Sequence, residues 1–494
     1  MNNEINQLLK EYSDQFDYSK KETVIILAAG HGKRIKSHTS KMLHKIWEIP
    51  TVERVYNACA KGLSDANIII VVGIKAEDVI RMVGKKNSVL YAYQEFQNGT
   101  GHAVQIGLQL IDFSKYDGTV YVFPGDMGLI DADTVKFFKD EFAVSKTDMM
   151  VLTGQYEGDI ENNYYGRIVR EKKKIKNKEV PNGNVLEIIE YKDILNISDK
   201  KLYKIKHNKK VFDYTKKELL ANREFNSGVF VFKFKPLAEL IRKIESNNVQ
   251  NEIYLTDMIY LFNKNKYSVS AVSPKNQYVL MGFNNKSVLK EMDAIARKIT
   301  YEKLKDVITI DDPDDFFIDE NVIDEILEMD KEGLPLDIKI GKGVYIGKGI
   351  KLNYNIHLMK NVLLNGEIHF GKNVIINENA QLTCFYGQTI TVGDDVKIFW
   401  GDVIKGNVSI GEKSSIESGV RITGNDESPV KIGKRVTVKG VTYIFGSEIG
   451  DNIFIEHSVL IKKQIVKPET SKADIYKVRF YLPEPEGVEA IKNL

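Results

Sequence analysis

Aliphatic or aromatic residues recur every six positions through the last third of the chain, at Ile340, Ile346, Leu352, Leu358, Leu364, Phe370, Ile376 and Leu382. After a slip the register resumes at Val392, Ile398, Ile404, Ile410, Ile416 and Ile422, then at Ile432, Val438 and Ile444, and finally at Ile449, Ile455 and Ile461. An α-helix turns every 3.6 residues, so a sustained period of six cannot keep one helical face apolar. It fits a strand and a turn per hexapeptide, each forming one wall of a parallel β-helix. Glycine often follows the apolar position, as at Gly341, Gly347 and Gly371. The slips predict small loops at coil corners. The β-helix is expected over 337–465, with a tail over 466–494 that caps or crosses its end.

The first two thirds read differently. Strand-like apolar runs at Val24–Leu27, Ile68–Val72, Val89–Tyr93, Val120–Phe123 and Met149–Leu152 alternate with segments of helical length such as Thr51–Gly62 and His102–Ile111. That alternation predicts an α/β domain with a mixed, mostly parallel sheet over 21–285. Ile5, Leu8, Leu9, Tyr12 and Phe16 stand at helical spacing, so an amphipathic helix is expected within 1–20, packed on the domain or on a partner. Residues 286–336 read as a connecting helix and an acidic linker around Asp311–Asp315. The lysine-rich stretches Glu171–Lys176 and Lys200–Lys217 read as solvated hairpins or loops.

Lys+Arg 70 against Asp+Glu 68 leaves a net charge of +2, which argues against a nucleic-acid partner. Cys59 and Cys384 form no metal-spaced cluster, and no apolar run approaches the roughly 20 residues of a membrane span. The reading is a cytoplasmic protein without a membrane partner.

Chemistry concentrates where the first strand ends. Val24–Leu27 opens into Ala28-Ala29-Gly30-His31-Gly32-Lys33-Arg34, a turn whose small side chains let backbone N–H groups approach an anion and whose last two residues are cations. Neither the P-loop spacing nor the third glycine of the dinucleotide fingerprint is present, which disfavours an NAD oxidoreductase. Taken alone, the stretch is equally a tight strand-to-helix turn. Asp126 follows the strand Val120–Phe123, so its carboxylate is expected at the carboxyl edge of the sheet, where a hard cation would bridge phosphates. Gln94 offers both a donor and an acceptor in a polar loop.

These motifs, taken in order, resemble the sugar-1-phosphate nucleotidyltransferases, most closely the N-acetylglucosamine-1-phosphate uridylyltransferases that carry a C-terminal left-handed β-helix. The family's opening motif stands at Leu27–Arg34, with Lys41-Met42-Leu43-His44 following; the uracil-recognition loop is similar to Gln94–Ala103. The resemblance implies that Leu27, Ala28, Ala29, Gly30, Gly32, Gln94, Gly99 and Thr100 bind the nucleotide and that Arg34 and Lys41 are catalytic. It implies sugar contacts from Gly166, Glu190 and Asn226, and Mg²⁺ held by Asp126 and Asn248. UTP and a sugar-1-phosphate would be the substrates, and the β-helix would assemble a homo-oligomer, a trimer. The family's acetyltransferase stretch has no counterpart here; His357, His369 and His457 stand without a recognisable constellation. A bifunctional enzyme, a transferase for another sugar-1-phosphate, and an assembly protein with an inactive nucleotide fold remain the alternatives. Pro124 replaces a tyrosine that often touches the sugar, Lys33 and Ser40 depart from the motif, and an insertion separates Glu190 from Asn226.

Overall fold

A computed structural model describes residues 2–30, 32–175, 178–246 and 248–480. The chain divides into two compact units, Met1–Asp293 and Ala294–Leu494. His31, the side chain of Lys33 and the tail beyond residue 480 lie outside the described residues.

In the first unit the apolar runs become strands β1 (Glu22–Ala28), β2 (Ala66–Val72), β3 (Val89–Tyr93), β4 (Thr119–Pro124) and β5 (Met149–Gln155). A long hairpin, β6 (Arg167–Ile175) and β7 (Lys178–Ile189), precedes β8 (Glu224–Lys233) and β9 (Val269–Val272). The main path runs β9-β5-β8-β4-β1-β2-β3. β1 is parallel to both β2 and β4, whereas β8 is antiparallel to β4 and β5. The sheet is therefore mixed and mostly parallel, as expected.

Alternate side chains of β1 feed two cores. Val24, Ile26 and Ala28 join one cluster, which also holds Val55 of helix α2 (Thr51–Gly62), Val79 of α3 (Ala76–Val83) and Phe138 of α5 (Ala132–Ser145). Ile25 and Ala29 join the other, with Val104 of α4 (Thr100–Leu108). Burial on both faces explains why β2 reads as an unbroken apolar run. The amphipathic N-terminal segment forms α1 (Asn2–Tyr12), which seats Leu8 in the first cluster.

The insertion after Glu190 folds as a small subdomain. Helix α6 (Tyr191–Asn196), a hairpin of Tyr203–His207 with Lys210–Tyr214, and α7 (Lys216–Ala221) enclose Ile194, Ile205, Tyr214 and Leu219 over the base of the β6–β7 hairpin. Thr215 and Glu218 close a capping box at the start of α7. Lys204, Lys206, Lys209 and Lys210 lie exposed on this hairpin. Among the described residues no helix is long and apolar enough to cross a membrane.

The second unit is the left-handed, three-walled parallel β-helix. One wall stacks Ile340, Leu358, Ile376, Ile398, Ile416, Val438 and Ile455 in register. Its walls begin with Thr309–Ile310 and Phe316–Ile318, ahead of a helix over Glu320–Asp330. Two of the three slips are loops at coil corners; the third, through Gly446 and Ser447, is instead a corner one residue shorter than the six-residue spacing. The loops after Thr383 and Thr423 are tied together by Asp426, which accepts from Gln388 and Asn407 at 3.0 Å each. One repeat position differs from the expected register: Ile461 is exposed and Leu460 takes the inward place above Ile444. The corner before it, through His457 and Ser458, is a residue shorter than the one through Gly440, which shifts the pattern by one.

Asp402 is a polar exception inside a coil corner. Its fully buried carboxylate accepts from Val420 N at 2.8 Å and Phe399 N at 3.1 Å. Asp402→Ala strands both amides and is expected to cost about 2 kcal/mol in urea unfolding, with Asp402→Asn costing less because one acceptor survives.

Candidate active site

From β1 the chain moves outward through β2 and β3, then returns to β4 on the other side of β1. The loops after β1 and β4 therefore diverge from a topological switch point, the crevice where open α/β sheets bind ligands. Gly125 N donates to Leu27 O at 3.0 Å and ties the two strand ends together. Ala28 and Ala29 are buried, Leu27 is half-buried and Gly30 opens to solvent. Gly32 adopts φ +58°, and a Cβ there would stand 2.9 Å from Lys41 Cβ, so glycine lets the loop fold back over Lys41. Arg34 is exposed at the rim, without an ion pair among the described residues.

Lys41 Nζ lies 2.5 Å from Asp126 Oδ2, joining the two loops. It also donates to Asn284 Oδ1 at 3.0 Å and sits 5.3 Å from the Phe283 ring centroid. Sequence reading passed over Asn284; the turn Gly282-Phe283-Asn284-Asn285, just ahead of the helix Lys286–Leu304, was the available signal. Asn248, expected as the second metal ligand, does not meet Asp126. Its Oδ1 accepts from Gln250 N and Glu252 N at 3.1 and 3.2 Å, and its Nδ2 donates to Glu252 O at 2.6 Å. Those bonds spend its amide inside its own loop, beside α6, whereas Asn284 shares the Lys41 ammonium with Asp126.

The expected base loop is organised around Gln94, which is buried and whose Nε2 meets Gly99 O at 3.2 Å and His102 Nδ1 at 3.0 Å. Gly99 has φ +102°, and a Cβ would press to 2.6 Å from Ile253 O. The loop is clamped by the segment that Asn248 closes: Gly101 N donates to Ile253 O, Ile253 N to Asn98 O, and Leu255 N to Thr100 Oγ1.

All three expected sugar contacts converge. Asn226 N donates to Gly166 O at 2.9 Å, and a Cβ on Gly166 would stand 3.0 Å from Glu190 Oε1. Arg167, fully buried, holds the turn by donating to Asn163 Oδ1 and O at 3.0 and 2.7 Å. Burial pushes the Glu190 carboxyl up to about 7, the negative charges of Asp193 and Asp257 adding to the rise while Arg167 opposes it. Glu187, three residues earlier and hydrogen-bonded by Tyr203 of the insertion, is pushed up to about 7, also chiefly by burial.

The MobA-like NTP transferase domain matches residues 24–185. Bifunctional protein GlmU of Acetivibrio thermocellus is 31% identical over 447 residues, covering 88% of this chain and 82% of that protein. GlmU of Caldicellulosiruptor saccharolyticus is 30% identical over 449 residues with the same coverage. The chain belongs to the GlmU family. As a GlmU-family protein it is a sugar-1-phosphate nucleotidyltransferase, and the crevice at the β1/β4 switch point carries the family's opening motif.

Glu187 supplies a test of the electrostatics. A carboxyl raised in the folded state adds stability below its unfolded value, about 4.3, and that stability is lost as pH rises through the folded value near 7. Glu187→Gln is therefore expected to be more stable than the parent by about 2 kcal/mol at pH 8, the gap shrinking as pH falls toward 4, read by thermal melting across that range.

Proposed function

We propose that this GlmU-family chain catalyses UTP + N-acetylglucosamine-1-phosphate → UDP-N-acetylglucosamine + pyrophosphate, with Mg²⁺ required. The observation that carries this reading is the convergence of Gly166, Glu190 and Asn226 into one cradle on the same unit as the phosphate loop and the Gln94 loop. A site built from hydrogen bonds discriminates hydroxyl and amide groups better than an apolar one.

An oxygen of the sugar phosphate attacks the α-phosphorus of UTP in line, a new P–O bond forms, and the bond to the β-phosphate oxygen breaks to release pyrophosphate. No covalent enzyme intermediate is needed. Arg34 and Lys41 would balance the charge that moves onto the leaving group, and the amides of the 28–32 loop would hold the triphosphate. Gln94 would read the uracil edge. Asp126 and Asn284 suit a divalent cation, because both offer hard oxygens to one point, the Lys41 ammonium. When bound, Mg²⁺ supplies charge neutralisation between the two anionic substrates.

We propose further that the β-helix serves assembly as a homotrimer rather than acetyl transfer. Trp400 and Val441 are exposed at the same type of coil corner, and Tyr443 and Ile461 lie partly exposed on the adjoining wall. His357, His369 and His457 are scattered over different walls and a corner; only His369 meets a carboxylate, Glu367 at 2.5 Å, among the described residues.

Purified protein is expected to release pyrophosphate from UTP and N-acetylglucosamine-1-phosphate, with Asp126→Ala lowering kcat/KM at least about 100-fold. Turnover with a different nucleotide or sugar-1-phosphate would overturn the specificity. Acetyl-CoA with glucosamine-1-phosphate is expected to give no N-acetyl product. Light scattering is expected to show a trimer that Trp400→Glu with Val441→Glu dissociates.

A further inference from the structure

Lys41 is already engaged in the free protein. Its ammonium bridges Asp126 Oδ2 and Asn284 Oδ1 at 2.5 and 3.0 Å, with side-chain exposure of 10% for the lysine and 17% for the aspartate. A lysine that only awaited phosphate would stand in solvent, as Arg34 does.

The surroundings fix the backbone and leave the stem as the moving part. Lys41 opens a short 3-10 turn, Lys41–Leu43, anchored by buried Met42, whose carbonyl accepts from Thr51 Oγ1 at 3.1 Å. Gly32 packs against the Lys41 Cβ. On the opposite side Gly282 keeps the wall thin; a Cβ there would stand 3.3 Å from both Asp126 oxygens. A Mg²⁺ ion draws its oxygens to about 2.0–2.1 Å, well inside an ammonium's contacts. The same two oxygens cannot hold both cations at once.

We infer that Lys41 is an internal counter-ion that occupies the place of the divalent cation in the free enzyme and gives it up when a triphosphate arrives. The inference rests on the nucleotidyltransferase reading of this crevice. The incoming anion gives the ammonium a new partner, the freed oxygens receive the divalent ion, and the two binding events assist each other. A cation without nucleotide must instead displace Lys41 with nothing to receive it. The arrangement also keeps Asp126 from being a lone carboxylate in a half-enclosed crevice when the site is empty.

The test is Mn²⁺ binding alone, followed by electron paramagnetic resonance of the free ion, on the full chain without substrates. Lys41→Met and Lys41→Gln are each expected to bind Mn²⁺ at least about fivefold more tightly than the parent, the low end of ordinary coupling between sites. The gain is expected to vanish in Lys41→Met with Asp126→Asn. Circular dichroism establishes that each variant is folded, and the two lysine variants guard against an effect peculiar to one side chain. Equal or weaker Mn²⁺ binding in folded Lys41→Met and Lys41→Gln, or no detectable binding in either, overturns the inference. Pyrophosphate release by the parent protein is a separate readout: turnover with unchanged Mn²⁺ affinity in the variants sinks the counter-ion alone, whereas absence of turnover sinks the nucleotidyltransferase reading whatever Mn²⁺ does.

Discussion

The ion pair between Lys41 and Asp126 joins two loops that leave the sheet on opposite sides of its switch point. Everything else in the crevice is arranged around that charge balance. Two polyanionic substrates can approach each other only where cations and amide dipoles reduce their repulsion, and the protein gathers them where β1 and β4 end. The Gly125 to Leu27 bond holds the strand ends together, while Gly32 bends the anion loop back onto Lys41. Burial on both faces of the sheet supplies the rigidity behind these contacts, since the alternating side chains of β1 are locked into two separate cores.

The Gln94 loop and the insertion after Glu190 are held by different means. The segment closed by Asn248 pins the Gln94 loop through Ile253 and Leu255, and reaches α6 where Val249 N donates to Asp193 at 3.1 Å. The Gln94 loop and the insertion after Glu190 are thus connected through one short stretch of backbone. The acids Glu187, Glu190 and Asp257 are all raised, each mainly by burial, which makes this cluster electrostatically costly at neutral pH. Stability is given up there in exchange for hydrogen-bonding groups shielded from water.

Much of this was legible because the relevant chemistry is local. Gly32 and Gly99 occupy backbone conformations that a side chain disfavours, so the sequence marks both turns directly. The six-residue period survives tertiary folding because each β-helix coil repeats the same contact, and it shifts only where a corner carries a loop or is a residue short, as before Leu460. What escaped depends on where distant segments meet. Asn248 and Asn284 are both loop asparagines, and nothing in their neighbours tells which reaches the Lys41 ammonium beside Asp126. The raised acids Glu187 and Glu190 likewise depend on a subdomain whose position no local pattern encodes.

The most direct measurement is a crystal structure of the protein with UDP-N-acetylglucosamine and Mg²⁺. Uracil is expected at Gln94, the diphosphate over the loop that follows Ala28 with the Lys41 ammonium turned onto it, and the sugar against Gly166, Glu190 and Asn226. A sugar nucleotide bound elsewhere, or bound in the crevice with its sugar away from that cradle, would contradict this expectation.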